Sequence, residues 1–276
     1  MVSLLLAILS SSLVSVCMRF SDKRVNGRFS MLAVNYLVCT FLGALYARGN
    51  IFCVSASGFG TTFALGIIAG ALYLLGFVLL QRSIRKNGIV LSSLYMKLGL
   101  LVPIVLSLVL FRELPSALQC IGFLVAVAAI VLLNLQKEAK GFTMSLLFLL
   151  LAGGCCDAMS KIYEHFGSAM LSDQFLFFTF LFAFLPCSVL ALRKQEAPGV
   201  RELLYGALIG LPNFFSSKFL LAALTKLPAV VVYPTFSVAT LLVVTLAGRF
   251  LFREQLNRRQ RIALGMILLA LIALNI

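Results

Sequence analysis

The chain has 276 residues, of which 62% are hydrophobic and 12% are charged, and its mean hydropathy is +1.08. A soluble globular domain is typically about half apolar and about a quarter charged, so this composition excludes a soluble protein. The net charge of +14 is expected to come from Lys and Arg residues that orient loops at a membrane, rather than from a nucleic-acid-binding surface.

Ten apolar segments, each long enough to cross a bilayer, account for almost the whole chain. They are predicted to be helices, because lipid offers no hydrogen-bond partner to an open backbone. The first segment lacks the basic start and the small-residue cleavage site of a signal peptide, so we expect it to be a span. In chain order the predicted spans cover residues 2–19, 30–46, 59–80, 89–111, 116–135, 142–163, 174–192, 202–224, 229–252 and 260–276.

The second half of the chain repeats features of the first. The tetrapeptide Leu-Phe-Arg-Glu occupies residues 110–113 and again residues 251–254, which is 141 residues later. Five crossings reverse the direction in which a chain enters the bilayer, so the two halves are predicted to be inverted. We therefore expect two five-helix repeats, residues 1–138 and residues 139–276.

The alignment of the two halves also pairs two glycine patterns. Gly66 and Gly70 in the third span correspond to Gly206 and Gly210 in the eighth span. Small residues four positions apart allow membrane helices to approach closely. Both spans are therefore predicted to pack tightly against neighbouring helices.

Basic residues are distributed unequally between the connections. The odd-numbered loops and their helix ends contain 17 Lys and Arg residues, whereas the even-numbered loops contain 4. The positive-inside rule therefore predicts that the odd-numbered loops are cytoplasmic and that both termini are outside.

Charged residues inside predicted spans are costly and usually mark a pathway for solutes. Lys97 lies in the fourth span, Asp157 in the sixth and Lys218 in the eighth. Each has a structural alternative. Lys97 can pair with Asp157 to hold two helices together, Lys218 can extend toward an interface, and Asp157 can pair with Lys161 one turn away.

Polar side chains accompany these charges in spans one, four, six, eight and nine, which are predicted to line a wet cavity. Spans two, five, seven and ten are predicted to face lipid or to act as scaffold. Prolines 103, 212 and 234 free backbone carbonyls in three of the cavity spans. The predicted solute-binding residues are Lys97, Lys218, Tyr95, Asn213, Ser217, Tyr233 and Ser237. The predicted gating or coupling residues are Asp157, Lys161 and Arg19.

Cysteine and histidine usage argues against a cofactor. Six of the seven cysteines lie in predicted spans, and the adjacent pair Cys155-Cys156 lacks the spacing of a metal site. The single histidine, His165, lies in a loop-like stretch without a paired-acid motif. An enzyme within the membrane is therefore disfavoured, and no metal or cofactor is expected. A scaffold or sensor is disfavoured because it has no need of buried charges.

The two halves resemble the drug/metabolite transporter superfamily, EamA type. In each half a Pro-containing helix leads into the Leu-Phe-Arg-Glu tetrapeptide, followed by Gln119 and Gly122 or by Gln260 and Gly265. The resemblance covers essentially the full chain. It implies an all-α membrane protein of ten helices, a cavity between the two repeats, and alternating access. It also implies cytoplasmic termini, which is the opposite of the charge count.

We expect a secondary transporter or facilitator for a small polar metabolite that bears a carboxylate or phosphate, held by the two intramembrane lysines. A multidrug exporter of cationic compounds is the alternative, although without Trp a cage for quaternary ammonium would need Tyr and Phe. The expected partners are a small-molecule solute and the lipid bilayer, and no nucleic acid is expected. We expect a monomer or homodimer, multi-pass in the cell membrane, and the absence of long tails and targeting signals favours a bacterial inner membrane.

Overall fold

The structure is a computed structural model that describes residues 1–21, 24–48, 51–52, 56–87, 95–96, 98–110, 112, 114–134, 144–251 and 258–275. These residues are almost entirely helical and include no β-strand. The helices are α1 (Val2–Ser21), α2 (Arg28–Tyr46), α3 (Phe59–Asn87), α4 (Leu101–Leu110), α5 (Ala117–Asn134), α6 (Met144–Phe166), α7 (Ser172–Arg193), α8 (Val200–Leu224), α9 (Ala229–Leu251) and α10 (Arg258–Asn275). A short 3₁₀ helix, Ala169–Leu171, precedes α7.

Among the described residues, seven helical segments are long and apolar enough to cross a membrane. They are α1, α2, residues 59–80 of α3, α6, α7 together with the 3₁₀ turn, α8, and residues 229–248 of α9. The described parts of α4 and α5 contain shorter apolar stretches. The chain is therefore a multi-pass helical membrane protein, and ten crossings remain a prediction.

Most predicted spans agree with the observed helices to within a few residues. The third differs, because α3 continues to Asn87, beyond the predicted end at residue 80. Much of the predicted fourth span lies outside the described residues, and α4 begins at Leu101. Helix α6 includes His165 in its last turn, so the predicted loop at this histidine is wrong. Helices α8 and α9 continue through Pro212 and Pro234 without a break.

The chain forms two compact units. Unit 1 contains Met1–Leu74 and Ile162–Ala222, and unit 2 contains Leu75–Lys161 and Ala223–Ile276. Each unit takes helices from both halves of the sequence. The compact units are thus a different division from the predicted repeats 1–138 and 139–276, whose boundary stays a prediction.

Within each unit, the most extensive contact joins two helices that hold equivalent places in the predicted repeats. In unit 1 the second helix, α2, packs against the seventh, α7. In unit 2 the fifth helix, α5, packs against the tenth, α10. Gly122 of α5 lies at this contact, since a Cβ added there would lie 3.0 Å from the Ala273 Cβ and from the Leu274 Cγ.

The paired glycines of α3 and α8 lie at close helix contacts, as predicted. A Cβ added at Gly66 would lie 2.5 Å from the Phe178 Cβ of α7, and one at Gly206 would lie 2.6 Å from the Val34 Cβ of α2. Real Cβ atoms do not approach so closely, so these helix pairs need glycine. The predicted repeat relates α3 to α8 and α2 to α7. The contact of α3 with α7 therefore corresponds to the contact of α8 with α2.

Two carboxylates join the α1–α2 connection to the start of α8 and the segment before it. The Glu202 Oε1 accepts hydrogen bonds from the backbone N–H groups of Asn26 (3.1 Å) and Gly27 (3.3 Å), and the Glu202 side chain is buried. The Glu196 Oε2 accepts from the N–H groups of Phe29 (2.7 Å) and Ser30 (3.3 Å). These N–H groups lie at the start of α2, where a helix leaves its donors without internal partners and favours negative charge.

We expect Gly66→Ala to lower the stability of the protein by about 1–3 kcal/mol, because the new methyl group overpacks the α3–α7 contact. Gly76→Ala in the same helix is the matched control, since a Cβ there meets no heavy atom within 4 Å. The measurement is the thermal unfolding midpoint of each purified variant in detergent. Equal midpoints for the two variants would contradict the assigned packing.

We expect Glu202→Ala to speed amide hydrogen exchange at Asn26 and Gly27, because both N–H groups lose their acceptor. Glu202→Gln keeps an acceptor oxygen and is expected to retain most of the protection. Hydrogen–deuterium exchange followed by mass spectrometry measures the difference. Unchanged exchange in the alanine variant would show that Glu202 does not hold this connection.

Candidate functional site

A charged pair lies within unit 1, between helices α7 and α8. The Lys218 Nζ is 2.7 Å from the Asp173 Oδ1. The side chains are 25% and 31% exposed, respectively, so the pair is partly shielded rather than buried. Asp173 lies in the first turn of α7, where the helix dipole stabilises a carboxylate.

The ring of Tyr46, at the end of α2, forms the second contact of this ammonium group. The Lys218 Nζ lies 3.5 Å from the ring centroid, which is the geometry of a cation–π interaction. The Tyr46 ring in turn stacks on Phe214 at 5.6 Å and meets the edge of Phe215 at 6.1 Å. Aromatic neighbours on α8 therefore hold Tyr46, and three helices of one unit contribute to a single cation site.

A cavity of about 770 Å³ adjoins this site, also within unit 1. Its walls are the end of α2, the residues that precede α3, and the connection from α6 to α7. Its volume lies in the range of small-molecule sites, roughly 300–1,000 Å³. The polar and charged side chains that line it are Tyr46, Arg48, Ser57, Ser168, Asp173 and Gln174.

The connection from α6 to α7 is held by the phenol of Tyr163. Its hydroxyl donates a hydrogen bond to the Ser168 carbonyl (2.8 Å) and lies 3.4 Å from the Thr62 Oγ1. The Tyr163 ring stacks on Phe175 of α7 with the centroids 4.0 Å apart. This wall of the cavity is therefore positioned by neutral groups.

Positive charge predominates among the described charged residues at the cavity. Arg48 and Asp173 line it, and Lys218 contacts Asp173, which leaves one net positive charge. Arg48 has a left-handed backbone, with φ of 50°. Gln195 follows α7 with a similar φ of 54°, so this backbone conformation does not itself require arginine.

The other predicted residues of α8 lie near Lys218 in sequence, and Asn213 contacts a neighbouring helix. The Asn213 Nδ2 donates a hydrogen bond to the Asn35 Oδ1 of α2 at 3.2 Å. Ser217 is half-buried. Asn213 therefore links α8 to α2, and its predicted contact with solute stays a prediction.

Unit 2 contains a second group of predicted residues. The Tyr233 hydroxyl donates a hydrogen bond to the Asp157 backbone carbonyl at 2.8 Å, so α9 meets α6 here. The side chain of Asp157 is exposed, whereas Lys161 and Ser237 are buried. Tyr95 is half-buried.

The predicted site residues are thus divided between the units. Lys218, Asn213, Ser217 and Arg19 belong to unit 1, and Arg19 is exposed. Tyr95, Asp157, Lys161, Tyr233 and Ser237 belong to unit 2. Lys97 lies outside the described residues, so its predicted pairing with Asp157 stays a prediction.

Three residues of the observed site, Tyr46, Arg48 and Asp173, are absent from the predicted set. The second and seventh spans are predicted to face lipid or to act as scaffold, and the structure adds that Tyr46 at the end of α2 and Asp173 at the start of α7 line the cavity. The predicted seventh span began at residue 174, whereas α7 begins at Ser172. An acidic residue directly before an apolar run is a helix-start signal that would have included Asp173.

Among the described residues, no three His, Cys, Asp or Glu side chains are grouped as metal ligands. The chemistry that the described site offers is therefore ionic and aromatic. It provides a carboxylate, an aromatic face, an ammonium and a guanidinium beside a cavity of small-molecule size.

Comparison with known proteins gives a family and a fold. Residues 142–276 match the sequence model of the EamA-like transporter family. A solved crystal structure is similar over 99% of this chain and 94% of that chain, with a TM-score of 0.73 and 15% identity. At that identity the likeness concerns the fold alone. The comparison with curated proteins finds no match.

We expect Asp173→Asn and Lys218→Met to be non-additive in their effects on stability, with a coupling of about 1 kcal/mol, because both side chains are partly exposed. Lys226→Met is the matched control, since Lys226 is exposed in the turn after α8. Its effect should add to that of Asp173→Asn. Thermal unfolding of the single and double variants measures both cycles, and additive effects in the first would contradict the pair.

Proposed function

This chain belongs to the EamA-like transporter family, and from that premise we propose that it moves a small polar solute across the membrane. The solute bears a carboxylate or a phosphate. Transport proceeds by alternating access, with or without a coupling ion. The cell membrane, and a bacterial inner membrane in particular, is the proposed location.

One observation carries the choice of solute. Lys218, an ammonium within a membrane-spanning helix, contacts Asp173, and both Asp173 and Arg48 line the cavity. Together these two cations exceed the single carboxylate of Asp173. Arginine suits planar acidic groups because its fork of N–H donors matches their oxygens, and lysine provides a mobile point charge.

Three observations support ten crossings arranged as inverted repeats. Helices in equivalent places pack together in each unit, α2 with α7 and α5 with α10. The glycine contact of α3 with α7 corresponds, under the repeat, to the glycine contact of α8 with α2. The similar crystal structure also extends over nearly the whole chain.

A cationic exporter is the second candidate, because the structure already holds a cation between Asp173 and Tyr46. A carboxylate and an aromatic face together are the groups that bind organic cations. This candidate predicts competition between an organic cation and Lys218. Removing the lysine should then strengthen binding of the cation.

We expect Lys218→Ala to reduce uptake of acid-bearing solutes about tenfold or more, the value of one charge-assisted contact. Purified protein in liposomes would be tested with labelled organic acids, sugar phosphates, amino acids, nucleosides and a quaternary ammonium compound. Lys226→Ala is the control, since this exposed lysine is not among the residues that line the cavity.

The same assay separates the two candidates. Loss of acid uptake in Lys218→Ala, with normal uptake in Lys226→Ala, supports the proposed function. Unchanged acid uptake in Lys218→Ala contradicts it. Uptake of the quaternary ammonium compound alone, increased in Lys218→Ala, favours the cationic exporter.

A further inference from the structure

We infer that Asp173, Tyr46, Lys218 and Arg48 form a site for a zwitterion, a solute that carries an ammonium group together with a carboxylate or phosphate. The inference rests on the proposed function and narrows its class of solute. Asp173 and Tyr46 receive the ammonium group. Lys218 and Arg48 receive the acidic group.

The first argument is that the site already binds an ammonium group. The Lys218 Nζ takes one contact from a carboxylate at 2.7 Å and one from an aromatic face, with the ring centroid at 3.5 Å. These are the two groups that a primary ammonium of a solute needs. The ammonium group of Lys218 therefore fills a cation-binding site of the protein itself.

The second argument is the cost of leaving a partly shielded charge without its partner. A purely anionic solute that draws Lys218 away leaves the Asp173 carboxylate without this cation. A purely cationic solute that displaces Lys218 from Asp173 leaves the lysine without this anion. Breaking the pair on one side is unfavourable, because one partly shielded charge then remains without its partner.

A zwitterion avoids both costs. Its ammonium replaces Lys218 at Asp173, and its acidic group accompanies the released ammonium of Lys218. Each charge has an opposite partner before and after the exchange, and a zwitterion that bears a carboxylate leaves the net charge of the site unchanged. A phosphate carries up to about one further negative charge at neutral pH, which Arg48 can pair. Among the three classes of ionic solute, only the zwitterion matches an ion pair charge for charge.

The third argument is access. Asp173 and Tyr46 line the cavity, whereas Lys218 approaches them along α8. A carboxylate has about four acceptor positions, so Asp173 can accept a donor from the solute before Lys218 departs. The exchange can therefore pass through a state in which no charge is exposed without a partner.

The fourth argument concerns Arg48 and the apolar wall. Arg48 lines the same cavity, and its backbone conformation recurs at Gln195 after α7, so the fold does not require the guanidinium. A guanidinium fits a carboxylate or phosphate in a bidentate manner. The cavity also has apolar lining from Phe166, Met170 and Leu171, which suits the hydrocarbon part of a solute.

The test compares three matched sets of probes with the purified full-length protein. The zwitterions are L-leucine, L-phenylalanine and phosphoethanolamine. In the anions a hydroxyl group or a hydrogen replaces the ammonium group; they are 2-hydroxy-4-methylpentanoate, phenyllactate and ethyl phosphate. The cations are leucinamide and phenylalaninamide. Thermal stabilisation at millimolar probe and counterflow in liposomes are the two readouts.

In the unmodified protein, we expect at least one zwitterion to bind on the order of tenfold more tightly than both of its matched analogues. Asp173→Asn should remove this preference, so that the anion binds as well as the zwitterion. Tyr46→Phe should keep the preference, because it keeps the aromatic face, and Tyr46→Leu should weaken it. Lys226→Ala should behave as the unmodified protein.

A folding defect is separated from a binding defect by the double variant Asp173→Asn/Lys218→Gln, which removes both charges and keeps groups that can hydrogen-bond. It should unfold near the temperature of the unmodified protein and should not discriminate between zwitterion and anion. Full retention of the preference in this variant would overturn the inference.

The outcomes also separate the two proposals. If the anions bind and are transported as well as the zwitterions in the unmodified protein, the zwitterion site is refuted and the proposed function stands. If no acid-bearing probe is bound or moved and the cations are, both fail. If zwitterions bind best but the preference survives Asp173→Asn, the site assigned here is wrong.

Discussion

The absence of water in the hydrocarbon core is the constraint on which the rest of the structure depends. Every backbone group must be satisfied within the chain, so the apolar segments form helices. Apolar side chains gain little by leaving lipid for another helix, and close packing must supply the association. Gly66 and Gly206 provide it in unit 1 by bringing α3 against α7 and α8 against α2. That packing helps to assemble the helices that provide Asp173, Tyr46 and Lys218.

The same constraint explains why a lysine inside a span has a partner. An ammonium group in a medium of low polarity is costly unless an anion or an aromatic face compensates it. Lys218 obtains both, from Asp173 at 2.7 Å and from Tyr46 at 3.5 Å. This arrangement is stable without solute. A solute can still replace its contacts, because a solute cation can take the place of Lys218 at Asp173 and a solute anion can pair with Lys218.

Unit 1 contains two connections that are equivalent under the predicted repeat, α1 to α2 and α6 to α7, and different groups hold them. The connection from α1 to α2 is held by carboxylates, through Glu202 on the N–H groups of Asn26 and Gly27. The equivalent connection from α6 to α7 is held by neutral groups, through the hydroxyl of Tyr163 on the Ser168 carbonyl, and it lines the cavity. Charge-assisted hydrogen bonds are roughly twice as strong as neutral ones. Each hydrogen bond to Glu202 is therefore stronger than the bond from Tyr163 to Ser168.

Hydropathy and the repeated motifs by themselves predicted a helical membrane protein that resembles the EamA type. Apolar segments of this length must form helices in lipid. The small-residue patterns predicted the close contacts at Gly66 and Gly206. The sequence also identified Lys218 as a charge within a span. Only the tertiary structure decided its partners, because Tyr46 and Asp173 lie 172 and 45 residues away from it and at helix ends assigned to scaffold. Periodicity records which residues are apolar, whereas an ion pair between distant helix ends depends on how those helices pack.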